Sequence, residues 1–254
     1  MKLLVALQFL TIVPVPKRGE ISAEEVGASQ GYFPLVGLLL GAILAGIDWS
    51  LSFVLPVSVV NAFIIIVLLL LTGALHIDGF IDTCDALFGR GTPRERWRIM
   101  SDSRVGGFGV VGAFCLLLLF YVSLGEIPET YKMTALILMP MLGRWSMVYA
   151  IFAFPCAKPT GLGRSFKERA SWRKLVLATS VTLVLTVGLF AIKGLELSLL
   201  GLVLIFAVWL VAAASALFLR SRFAGLTGDS YGAINEVTQV FVLIFFCVIS
   251  RWIS

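Results

Sequence analysis

Seven apolar stretches of roughly twenty residues follow one another between Tyr32 and Ile253, and few folds can accommodate that pattern. A run of this length spans a bilayer as a helix, which satisfies its backbone N–H and C=O groups from within one segment. Spans are expected over 32–55, 57–75, 105–125, 131–154, 175–192, 197–219 and 233–253. Composition agrees, because 254 residues that are 59% hydrophobic and only 14% charged exclude a water-soluble globule. The expected fold class is all-α: a polytopic integral membrane helix bundle, one domain over 1–254, with short amphipathic helices at the cytoplasmic face. The first residues carry one early Lys and no small-residue cleavage pattern before Pro14 and Pro16, so they read as a retained interfacial helix. Ser22 followed by Glu25 has the spacing of a capping box and predicts a short surface helix there.

The twenty Lys and Arg residues sort unevenly among the loops. With the N-terminus in the cytoplasm, sixteen lie on that side, whereas Lys132, Lys193 and Arg251 lie on the other and Arg144 falls inside a span. The expectation is a multi-pass protein of the inner or plasma membrane, with its N-terminus and functional loops cytoplasmic. Its first partner is the lipid bilayer. The net charge of +5 speaks to topology, and no tract resembles a nucleic-acid module, so no nucleic acid is expected. Cys84, Cys115, Cys156 and Cys247 are scattered without paired spacing and imply no disulfide framework.

Chemistry concentrates after the second apolar run, in G-A-L-H-I-D-G-F-I-D-T-C-D-A-L-F-G at 73–89, which holds the only histidine. Asp78, Asp82 and Asp85 are spaced four and then three apart, so on a helix they share about 60° of one face. Unpaired carboxylates at that spacing repel, and a cation relieves them. An all-oxygen set suits Mg²⁺, or Mn²⁺, rather than zinc, and Mg²⁺ takes one or two carboxylates plus substrate phosphates. The competing reading is a solvated face whose aspartates cap helices or pair with the arginines that follow. Arginines 90, 94, 96, 98 and 104 come next, enough to meet a polyanion beside a metal. Further on, G-G-F-G at 106–109 permits close backbone approach. Asp48, Arg144 and Glu236 fall inside spans, where a charge needs an interior partner; that of Arg144 is an acidic group or a phosphate.

Several pieces together resemble the cobalamin synthase family, the adenosylcobinamide-GDP ribazoletransferases. They are F-L-T-I-V-P-V-P at 9–16, F-P-L-V-G at 33–37, the acidic stretch at 73–88, I-M-S-D-S-R-V-G at 99–106, G-L-G at 161–163 and T-G-D-S-Y-G-A at 227–233. Ala74 and Ser101 are small departures from the family pattern and touch no proposed ligand. The resemblance implies a Mg²⁺-dependent transfer in which the 5′ oxygen of α-ribazole, or of its 5′-phosphate, attacks the phosphorus next to the cobinamide arm of adenosylcobinamide-GDP, and GMP leaves. It assigns Asp78, Asp82 and Asp85 to the metal, with Asp82 also catalytic. His76 becomes the general base or the group that orients a carboxylate. Asp102, Arg104, Arg144 and Asp229 become candidates for the diphosphate and its metal. Alternatives at these positions are a local surface pair for Asp102 with Arg104 and a helix cap for Asp229. A homo-oligomer, or a complex with other corrinoid enzymes, is compatible with such an enzyme.

Two other classes stay in view. A membrane alcohol phosphotransferase or prenyltransferase also offers aspartates to Mg²⁺ and a diphosphate, but its paired-aspartate motifs are missing from this sequence. A transporter would use Asp48, Arg144 and Glu236 along a central path, against which stands the one-sided distribution of polar loops.

Overall fold

The computed structural model describes residues 1–15, 21–89 and 91–253, so Lys17, Arg18 and Arg90, counted above among the basic residues, lie outside it. The chain begins with α1 (Lys2–Leu10) and α2 (Ala23–Ser29). The expected capping box starts α2: Glu25 N–H donates to Ser22 Oγ at 3.2 Å and Ser22 N–H to Glu25 Oε2 at 3.0 Å. Then come α3 (Phe33–Leu51), α4 (Val57–Leu71), α5 (Leu75–Phe88), α6 (Pro93–Met100), α7 (Gly107–Glu126) and α8 (Glu129–Ala153). The last four are α9 (Leu162–Glu168), α10 (Trp172–Ala191), α11 (Ser198–Phe223) and α12 (Gly228–Ile253). Among the described residues the only β-type pairing is an isolated bridge between Cys156 and Leu226.

Six helical segments are long and apolar enough to cross a membrane, and the pair α4–α5, bent by 91°, meets the same criterion only when its two helices are counted together. We read α4 as a seventh crossing and α5, nearly perpendicular to it, as lying across the end of the bundle outside the spans. The second span therefore stops at Leu71 rather than at 75. Gly73 and Ala74 both take left-handed backbone angles, φ 58° and 56°, which no α-helix continues through. Alanine holds that conformation only where its surroundings fix it. The last span starts earlier than expected: Thr227 Oγ1 accepts from Ser230 N–H at 3.1 Å at the start of α12, so G-D-S-Y-G at 228–232 is already helical.

The central element is α8, buried along most of its length and packed by α3, α10, α11 and α12. Gly37 and Gly41 let α3 touch it. A Cβ at Gly37 would lie 2.3 Å from Pro140 O and one at Gly41 2.5 Å from Ile137 O, so small residues one turn apart bring the two backbones together. Farther along the same pair, Lys132 Nζ lies 2.8 Å from Asp48 Oδ1, with both side chains buried. Lys132, counted above toward the outer side, is buried inside the bundle, where its charge is met by the carboxylate of α3.

The other end of the bundle is closed by crossing pieces. Over α12 and α7 runs α5, while α6 reaches α11 through Trp97 Nε1, which donates to Phe223 O at 2.9 Å. The loop after α8 is pinned to the loop before α12 by Ala157 N–H to Leu226 O and Leu226 N–H to Pro155 O, both 2.8 Å. Far from lying free at the interface, α1 buries Ala6 and Leu10 against this end and sets Phe9 beside the rings of Phe33 and Phe166.

Candidate active site

Where these pieces meet there is a cavity of about 250 Å³. One wall is the first turn of α5, with Leu75, His76, Asp78 and Gly79; facing it is the first turn of α12, with Gly228, Asp229 and Gly232. The two helices approach backbone to backbone, since a Cβ on Gly79 would lie 3.0 Å from Asp229 Cα and one on Gly232 3.1 Å from His76 O. That approach brings Asp78 and Asp229, far apart in sequence, to one space. The loop between α8 and α9 adds Lys158, Thr160 and Gly161, the first turn of α9 adds Arg164, and Phe9, Met147 and Phe166 form the apolar side.

Asp82 is half-buried just outside this lining. Burial, and then the charges of Asp78, Asp229 and Asp85, push its carboxyl up from 3.8 to about 7, with Lys158 acting in the opposite direction. Asp82 therefore sits in the field of three other carboxylates and one lysine. Lys158 Nζ also donates to Ser101 Oγ at 3.1 Å, which ties the cavity loop to the segment after α6. His76 is 2% exposed, lines the cavity, and has neither ring nitrogen engaged by a partner among the described residues.

Asp85 does not join the other aspartates. Its Oδ2 accepts from Gly106 N–H at 2.8 Å and its Oδ1 from Gly109 N–H at 2.7 Å, so it caps the start of α7. The close approach expected of G-G-F-G is real and its partner is this carboxylate, which a Cβ at Gly106 or Gly109 would meet at 2.4 Å. Of the three aspartates expected to share one cation, Asp78 lines the cavity, Asp82 lies just outside it, and Asp85 has both oxygens engaged by the amides that begin α7. Among the described residues no group of three or more His, Cys, Asp or Glu side chains is placed to hold a metal ion.

The arginines are also placed differently from expectation. Arg96 Nη1 donates to Ala86 O and Leu87 O at 2.9 and 2.6 Å, closing the C-terminal end of α5. Arg104 Nη2 binds Asp102 Oδ2 at 2.8 Å, a local surface pair whose hydrogen bonds hold the Asp102 carboxyl down to about 2. Neither lines the cavity. Arg144 does not line it either and is fully enclosed between α8 and α12. The cavity's cations are Lys158 and Arg164, the latter also bonded to Glu168 at 2.7 Å. Sequence reading counted both only toward topology. Their one local signal is that they flank G-L-G at 161–163.

Fold and site together define a class: a polytopic membrane protein with a polar cavity at one end, carboxylates on two facing helices, and a lysine and an arginine supplied by the α8–α9 loop and the start of α9. Within that class the chain belongs to the family described as Cobalamin-5-phosphate synthase (CobS), which matches residues 2–247. It is 38% identical over 239 residues to the adenosylcobinamide-GDP ribazoletransferase of Desulforamulus reducens, covering 94% of this chain and 92% of that protein. The enzyme of the same name from Geotalea daltonii is 37% identical over 239 residues, covering 94% of each chain. That from Thermosynechococcus vestitus is 37% identical over 251 residues, or 96% of this chain and 94% of the relative. No solved structure matches the chain.

Proposed function

We propose that this chain catalyses the adenosylcobinamide-GDP ribazoletransferase reaction, a late step of cobalamin biosynthesis, at the cytoplasmic end of the bundle. The observation that carries the reading is the facing of Asp78 and Asp229 across a cavity bordered by Lys158 and Arg164, in a family described as Cobalamin-5-phosphate synthase. On that basis our reading departs from the 5′ oxygen as the attacking group. A product that keeps a 5-phosphate cannot have been joined through that phosphorylated oxygen, so the attacking group is a ribose hydroxyl that the phosphate leaves free.

A Mg²⁺ ion, or Mn²⁺, fits these residues, because two carboxylates on opposite walls and a third raised by burial and then by its acidic neighbours call for a cation, and Mg²⁺ takes one or two carboxylates with phosphate oxygens and water. Asp78 and Asp229 would hold it, with Asp82 beside them. When bound, the ion neutralises diphosphate oxygens and the charge that develops on departing GMP. The chain does the rest. Lys158 and Arg164 bind and orient the diphosphate, and Phe9, Met147 and Phe166 keep water from the apolar side. His76, at the wall with both ring nitrogens disengaged, takes the hydroxyl proton. The new oxygen–phosphorus bond forms at the phosphorus next to the cobinamide arm as the bond to the GMP oxygen breaks.

The test is GMP release by detergent-solubilised protein given the nucleotide-activated corrinoid and ribazole or its phosphate. Asp78→Asn, Asp82→Asn and Asp229→Asn should each lose activity, with at least one partly rescued by raised Mg²⁺ or by Mn²⁺. Asp85→Asn should act through the stability of α7 without changing the Mg²⁺ dependence. Full activity of the first three at ordinary Mg²⁺ sinks the assignment.

A further inference from the structure

In the bundle interior next to the cavity lies a polar group that the proposed chemistry does not use. Arg144 Nη1 donates to Gln239 Oε1 at 3.2 Å and to Pro140 O at 3.4 Å, while its Nε and Nη2 meet no acceptor among the described residues. Glu236 accepts from Asn235 Nδ2 and from Gln239 Nε2, each at 2.9 Å. Arg144 and Glu236 form no direct ion pair. Both instead line a small cavity of about 10 Å³ together with Thr72. Such a space holds about one water and offers it a guanidinium donor, a carboxylate and a hydroxyl oxygen, three partners of the kind a buried water needs.

The geometry links this group to the site. Glu236 stands one turn beyond Gly232, whose missing side chain lets α12 touch the His76 backbone. Arg144 stands one turn before Met147, which lines the larger cavity together with His76. Thr72 directly precedes the left-handed pair Gly73 and Ala74, and an alanine in that conformation has to be held by its surroundings. We propose that Arg144 and Glu236, bridged by one buried water, are positioning residues that fix the bend between α4 and α5 and the His76 imidazole at the cavity wall. The proposal rests on the reading of that cavity as the transfer site, yet its core claim concerns the surroundings of His76 and fails or stands separately.

His76 is the only histidine, so protein labelled with ¹⁵N-histidine gives a single imidazole signal. Arg144→Lys and Glu236→Gln should shift and broaden it. Turnover should fall roughly 10- to 100-fold, the range for outer partners of catalytic groups, with KM for the GDP-linked substrate little changed because Lys158 and Arg164 are untouched. Asp48→Asn is the control: it breaks the distant buried pair, lowers thermal stability and leaves the His76 signal where it was. If Arg144→Lys does not fold, Arg144→Met with Glu236→Met leaves no unmatched charge and serves the same comparison. An unchanged His76 signal in folded Arg144 and Glu236 variants overturns the proposal. A parent protein that releases no GMP overturns the transfer reading instead and leaves the spectroscopic result to be judged alone.

Discussion

Asp82 carries a proton in the folded chain over a range where the unfolded chain has lost it, since its carboxyl is raised from 3.8 to about 7. Between those values the native state binds more protons than the unfolded state, so stability falls as pH rises through the window. In metal-free protein, thermal unfolding in detergent should therefore show a melting temperature that declines from about pH 4 to pH 7. Asp82→Asn should flatten that slope, and added Mg²⁺ should restore the wild-type protein at pH 7. Identical slopes for wild type and variant would remove the raised carboxyl from the account. Lys158 is the second residue on which much turns. Lys158→Gln removes a charged donor of the kind worth about 1.5–3 kcal/mol, so KM for the GDP-linked substrate should rise about tenfold or more. Steady-state kinetics check this, with Lys158→Arg expected to retain part of the affinity.

At the scale of elements, α3 and α8 are joined by two devices, touching backbones at one end and a buried ion pair at the other. Breaking the pair on one side, as in Lys132→Met, leaves an uncompensated buried carboxylate and should cost about 3–5 kcal/mol. Lys132→Met combined with Asp48→Leu should recover most of that loss in a detergent unfolding assay. Equal destabilisation by single and double variants would show that the lysine acts through its shape and not its charge. The acidic face of α5 was legible because helical spacing alone puts Asp78, Asp82 and Asp85 together. What spacing could not say is which neighbour each carboxylate meets. Asp85 faces the amides that begin α7, and Asp78 faces Asp229 only because Gly79 and Gly232 let two helices close up. The bend before α5 was missed for a related reason, since Ala74 gives no local sign of a left-handed backbone.

At the scale of the molecule, the seven apolar runs and the placement of polar loops at one end followed directly from hydropathy and charge. Orientation is open to direct measurement. In a cysteine-free background, an impermeant thiol reagent outside intact cells should label Glu196→Cys and spare Arg98→Cys, both exposed positions; the reverse pattern would invert the topology. The arginines between α5 and α7 looked like the substrate's cations, yet Arg96 closes the end of α5 and Arg104 pairs with Asp102, because helix-end carbonyls and a nearby carboxylate compete for the same donors. Lys158 and Arg164 could not be singled out, as their neighbours in space come from α5 and α12. Phe9, near one extreme of the chain, borders the same cavity as Asp229, near the other. A ribosome that has already delivered the first six crossings to the membrane has thus built only one side of the cavity. Until α12 is threaded and docks against α5, a nascent chain is catalytically silent, however much of it is in place.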